Sequence, residues 1–129
     1  MRLLLTVCVW CLLTLSASAQ VIVNPTKVDF PASADHAVTF GGVDVVTKYE
    51  LVIARQSLPA VPVSTTDLGK PTPAAGVISV PLPGGLPNNT VLLATVRTVG
   101  PGGSTPSVAS DPFGVVGAPA AAGKPIPKP

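Results

Sequence analysis

Beyond residue 19 the chain contains neither cysteine nor tryptophan, because Cys8, Cys11 and Trp10 all stand in the first nineteen residues. A disulfide framework and a thiolate metal site are thereby excluded from everything downstream. The C-x-x-C spacing of Cys8 and Cys11 is an accident of an apolar run rather than a redox motif. Histidine is represented once, by His36, so no second imidazole is present to complete a soft metal cluster. Aromatics are scarce too: after Trp10 only Phe30, Phe40, Tyr49 and Phe113 remain. Carbohydrate sites normally need an aromatic platform, and four rings hardly provide one. Charge is sparse at 11% of residues. From Gln20 to Val116 five basic side chains (Lys27, Lys48, Arg55, Lys70, Arg97) face six acidic ones (Asp29, Asp35, Asp44, Glu50, Asp67, Asp111). A net of −1 argues against nucleic acid or anionic lipid as a partner.

What is present begins with Met1-Arg2, an apolar run from Leu3 to Leu15 and the small-residue site Ala17-Ser18-Ala19. That arrangement predicts a secretory signal peptide over residues 1–19, with Gln20 as the first mature residue and a secreted, extracellular or periplasmic destination. The run is shorter than the ~20 apolar residues a spanning helix needs, so no stable membrane insertion is expected once the signal is removed. At the other end, residues 117–129 read GAPAAAGKPIPKP. This segment has the composition of a flexible or polyproline-like tail, too poor in apolar bulk to fold. Between them lies one module, residues 20–116, in which no strand pattern recurs as a second copy. Its stability must come from its core alone.

Alternation within this module predicts β-strands. Leu92, Ala94, Val96 and Thr98 share one face, while the opposite face carries Arg97; the uncharged face is expected to be the core face, because a buried unpaired charge is costly. Tyr49, Leu51 and Ile53 share a face of the strand within Val45–Arg55, and Ile78, Val80 and Leu82 a face of Gly76–Leu82. Val28 and Phe30 alternate as an edge strand beside Pro25 and Pro31, and Val38 with Phe40 makes a short strand before a Gly41-Gly42 turn. Prolines 59, 62, 71 and 73 keep Gln56–Pro73 out of a central position, leaving Val61 and Val63 as a short edge piece and Asp67–Pro71 as a turn. Gly100-Pro101-Gly102-Gly103 predicts a reversing connection, Ser104–Ala109 an antiparallel return, and Pro112–Val116 a closing strand. Short strands with Gly/Pro turns predict an all-β, antiparallel sandwich of about seven strands.

The stretch Leu86, Thr90, Val96-Arg97-Thr98-Val99, Gly103-Ser104 and Ser107 resembles the last part of a fibronectin type III domain, and Tyr49 with its neighbours resembles that family's third strand. The resemblance covers roughly Pro25 to Val116 and implies an immunoglobulin-like β-sandwich. Two departures carry consequences. Leu92 stands where the family has a tyrosine, which leaves the loop before the Leu92 strand to be held by packing alone. No tryptophan fills the core from the second strand, so the segment between Ala32 and Val45 is expected to be truncated or rearranged.

No constellation of catalytic type emerges. Asp35-His36 would serve as a polarised base only with further partners, and the ring is expected to hydrogen-bond or cap its own Ala32–Ala37 turn. The carboxylates follow no calcium-loop spacing, and neither a nucleophile elbow nor a phosphate-cradling loop occurs. Asn88-Asn89-Thr90 is an N-glycosylation acceptor in a host that glycosylates. The expected function is non-catalytic: a secreted or cell-surface interaction or adhesion module, without cofactor or metal, whose partner is a protein or a surface polysaccharide. Contacts are expected from the loops around Asp35-His36, Lys70 and Pro101-Gly102. The alternatives are a purely structural envelope spacer working through the tail, a carbohydrate-binding accessory, or a small extracellular hydrolase using Asp35, His36 and Ser57 or Ser104.

Overall fold

Alternating apolar side chains place two sheets face to face in the computed structural model, which describes residues 20–129. The signal-peptide reading of residues 1–19 lies outside the described residues, as do Cys8, Trp10 and Cys11. The strands are β1 (Ile22–Val23), β2 (Lys27–Pro31), β3 (Thr39–Phe40), β4 (Val43–Asp44), β5 (Lys48–Arg55), β6 (Leu58–Gly69), β7 (Val77–Pro81), β8 (Leu92–Gly100), β9 (Gly103–Pro106) and β10 (Phe113–Gly114). The larger sheet runs β1-β10-β8-β5-β6, with β9 also paired to β8; β2 and β7 form the second sheet, and β3 and β4 a separate hairpin. The protein is therefore all-β and sandwich-like, with no sheet closed on itself.

The expected core faces are the observed ones. Tyr49, Leu51, Ile53, Leu92, Ala94 and Val96 are buried from the larger sheet, and Phe30, Ile78 and Val80 meet them from the smaller. The Phe30 ring lies 5.5 Å from that of Tyr49 at 57°, a tilted pairing that suits two ring quadrupoles. Phe30 thus supplies the aromatic of the smaller sheet's core face. Arg97 points to the outer face, where its Nη1 donates to Glu50 Oε2 at 3.1 Å.

Among the described residues there are ten strand segments rather than about seven, and two of the breaks have a local cause. At Asn24-Pro25 the edge strand leaves one sheet for the other: β1 pairs in parallel with β10, and β2 pairs antiparallel with β7. Asn24 takes a φ of 52°, a left-handed conformation that asparagine tolerates, and its Oδ1 accepts the Val116 amide at 2.9 Å. The last strand is also split, into β9 and β10. Across the gap the Ser107 and Ser110 hydroxyls accept the amides of Val96 and Ala94, each at 3.0 Å, where carbonyls would otherwise serve.

The proline-rich span corrects the sequence reading in extent. It is an edge, as expected, but β6 has 12 residues rather than a short Val61–Val63 piece, and it absorbs Asp67-Leu68-Gly69, which had read as a turn. Pro62 sits opposite Ala54, beside register shifts in the β5–β6 ladder, where a missing donor is tolerated. The loop before β8 is also held by more than packing. Leu86 does lie against the core, but the Asn89 amide donates to Val115 O at 2.7 Å and the Gly117 amide to Asn89 Oδ1 at 3.3 Å.

An ion-pair chain crosses the outer face of the larger sheet. Lys48 Nζ lies 2.9 Å from Glu50 Oε1 and 3.0 Å from Asp67 Oδ2, and Glu50 passes the contact on to Arg97. The hydrogen bonds to Glu50 and Asp67 raise the Lys48 pKa above 10.5, and the bond from Lys48 lowers that of Glu50 below 4.5. Asp67 is lowered by the Gly69 amide first and by Lys48 second. The lowered carboxylates contribute stability that is present at neutral pH and lost as pH falls through their folded values. The Lys48 contribution is present below its unfolded pKa and lost as pH rises past its folded one. Denaturant midpoints are therefore expected to be flat from about pH 5 to pH 10 and to fall on either side. Lys48→Met should make the acid limb shallower, and salt should do the same. An unchanged acid limb in Lys48→Met would remove the network from the account.

Candidate binding surface

Strand direction gathers three connections at one end of the sandwich. The β5 start pairs with the end of β8, the end of β6 pairs with the β5 start, and the end of β2 pairs with the start of β7. Residues 32–47, 70–76 and 101–102 therefore emerge side by side.

The first connection carries the β3–β4 hairpin. Gly41 and Gly42 take φ values of 59° and 81°, the pair of left-handed conformations that a two-residue hairpin turn of this twist demands. Phe40 and Val43 face each other across it. Its root is fixed at four points. Val46 is buried in the core, Val45 N donates to Val38 O at 2.9 Å, Thr47 N donates to Val99 O at 2.8 Å, and Lys70 Nζ donates to Asp44 Oδ2 at 2.9 Å. The Val45 carbonyl also presses on Gly100, where an added Cβ would lie 1.9 Å from its oxygen.

Between this hairpin and the β8–β9 turn runs a groove of about 580 Å³, lined among others by Asp35, Phe40, Val43, Asp44, Pro101 and Gly102. Of the residues expected from sequence to form contacts, Asp35, Pro101 and Gly102 converge here. Lys70 reaches the rim through its bond to Asp44. His36 does not line the groove. Its Nδ1 lies 2.8 Å from Tyr49 Oη, and the two rings stack at 5.7 Å and 16°. The expected turn-capping role belongs instead to Ser33, whose Oγ accepts the Asp35 amide at 3.2 Å while its own amide donates to Tyr49 Oη at 3.1 Å. Asn88 lies at the opposite end, next to Val115, with Thr90 Oγ1 donating to its carbonyl. Ser104 lines the groove, whereas Ser57 lies in the β5–β6 turn at the far end. The hydrolase set of Asp35, His36 and either serine is thus not assembled around the His36 ring. Among the described residues no group of three metal-binding side chains occurs.

Sequence reasoning missed Phe40. It lies in the short strand read from the sequence, yet it is 85% exposed. The available signal was Phe-Gly-Gly-Val itself, since a two-residue Gly-Gly loop turns the strand back on its own neighbour. Comparison with family models, with curated proteins and with solved structures found no match to the chain.

Proposed function

We propose that the chain is a non-catalytic, secreted or surface-borne binding module of the fibronectin type III-like sandwich type, which takes hold of a protein or polysaccharide through the β3–β4 end. The fold reading is supported by the strand arrangement. A sheet built on β6-β5-β8 with β9 and β10 faces a sheet containing β2 and β7, as CFG faces BE in immunoglobulin-like sandwiches. The functional reading is carried by Phe40, an aromatic left 85% exposed on a hairpin whose root is held by core, hydrogen bonds and an ion pair. Rigid presentation of a large apolar ring beside a groove is how binding surfaces gain affinity without ordering a loop on contact.

Residues 20–129 on beads are expected to retain a saturable ligand from the extracellular proteins or polysaccharides of the source, with Phe40→Ala weakening retention by at least about tenfold. Because the side chain is exposed, the variant should unfold at the same denaturant midpoint as the parent. Retention equal in parent and Phe40→Ala would move the contact away from this end.

A further inference from the structure

The groove has a ligand chemistry that matches a segment of the chain itself. Its walls combine apolar and small residues (Phe40, Val43, Pro101 and Gly102) with two carboxylates, Asp35 and Asp44. Asp44 is held by Lys70, while Asp35 has no ion-pair partner among the described residues. The tail ends in Lys124-Pro125-Ile126-Pro127-Lys128-Pro129, two cations around an apolar centre, and Ile126 is 82% exposed. Alternate prolines hold such a segment in polyproline II geometry, so little further entropy is lost when it lies against the Phe40 ring in the groove.

We propose that the groove under the β3–β4 hairpin receives the proline-rich tail, residues 117–129, of a second copy of this chain. The inference rests on the reading of this end as the binding end and supplies its partner. In its own copy the tail cannot lay that whole segment in the groove. The tail departs at Gly117 beside Asn89, at the start of β8, whereas the groove lies at the end of β8. Nine strand residues separate the two ends by about 30 Å. Seven polyproline residues carry Lys124 about 22 Å from Gly117 and eleven carry Lys128 about 34 Å, so only the last residues of the segment reach their own groove, whereas the tail of a second copy can lie along it from Lys124 to Lys128. With tail and groove at opposite ends a single contact is heterologous; its repetition builds head-to-tail chains or rings, and two copies that exchange tails close a dimer.

The test uses residues 20–129 and a fluorescein-labelled peptide of residues 117–129, followed by anisotropy, with sedimentation velocity of the protein alone across a concentration series. The expected results are saturable peptide binding and a sedimentation coefficient that climbs with concentration. Phe40→Ala should weaken the peptide by about tenfold. Asp35→Asn and salt at about 0.5 M should each weaken it several-fold. A peptide with Pro125→Ala and Pro127→Ala should bind at least several-fold more weakly. Absence of saturable binding, or binding indifferent to Phe40→Ala, overturns the proposal. Should Phe40-dependent capture of an extracellular partner occur while the tail peptide fails to bind, self-recognition falls and the binding-module reading stands. If both fail, the end is not a binding end.

Discussion

Replacing Leu51 with alanine is expected to lower the stability of the protein by about 3 kcal/mol, the middle of the range for deleting a fully buried leucine. Leu51 has no exposed surface and lies on β5, between Val96 of β8 and Thr66 of β6. Its side chain therefore cannot be replaced by water without moving two ladders, and the cavity adds to the lost transfer energy. A domain of this size starts from roughly 5 to 15 kcal/mol in all, and no cysteine is available beyond residue 19 to tether the unfolded chain. The variant should show a lower guanidinium midpoint at unchanged slope and a melting temperature lower by more than about 10 °C. Val52→Ala, one residue along and on the partly exposed outer face, should cost no more than about 1 kcal/mol. Equal losses at the two positions would mean that β5 does not present alternate faces to core and solvent.

That pair of positions marks how far the sequence was legible. Alternation is a property of neighbouring residues, so the faces of β5, β7 and β8 could be assigned without knowing what they pack against. Glu50 and Arg97, on the faces taken as outer, meet each other there. The same pattern in Val38 and Phe40 marks a strand that is present at Thr39–Phe40, but alternation says that two residues share a face and not that the face is covered. Only the position of the Gly41-Gly42 turn decides that this hairpin folds on itself instead of joining either sheet. The long β6 edge was hidden for another reason. Prolines report a missing donor, and whether that donor is needed depends on bulges in the partner strand, which leave no local mark.

The candidate surface was partly legible through connectivity. Asp35 and Pro101-Gly102 come together because any loop following the end of β8 lies beside the loop preceding β5 once those strands pair antiparallel. His36 shared that neighbourhood in sequence but has its ring against Tyr49, 13 residues away, a contact that no spacing rule anticipates. Lys70 arrived at the rim through Asp44, across 26 residues.

Gly100→Ala is the second change with a large expected effect, and it separates the hairpin's position from its existence. The added Cβ would stand 1.9 Å from Val45 O and 3.0 Å from Val45 C, both backbone atoms that cannot rotate away. Either the end of β8 or the Val45–Thr47 segment must shift. The first disturbs the pairing of Val99 with Lys48 and Ser104, and the second pulls buried Val46 from the core and stretches the Thr47 amide from Val99 O. Overpacking of this kind costs about 1 to 3 kcal/mol, and the loss of the Thr47–Val99 backbone hydrogen bond at most about 1 more. A loss of about 3 kcal/mol is therefore expected, together with faster amide exchange at Thr47 and loss of Phe40-dependent ligand retention. Gly102→Ala is the matched control: its Cβ would meet nothing within 4 Å and its φ is not positive, so stability should stay within about 0.5 kcal/mol. Tyr49, the sole tyrosine, reports on the change through its near-ultraviolet dichroism, since its hydroxyl and ring are held by Ser33 and His36 of the same connection. If Gly100→Ala were as stable as Gly102→Ala, with an unaltered Tyr49 signal, the hairpin would not be seated on β8, and the groove between them would lose its wall.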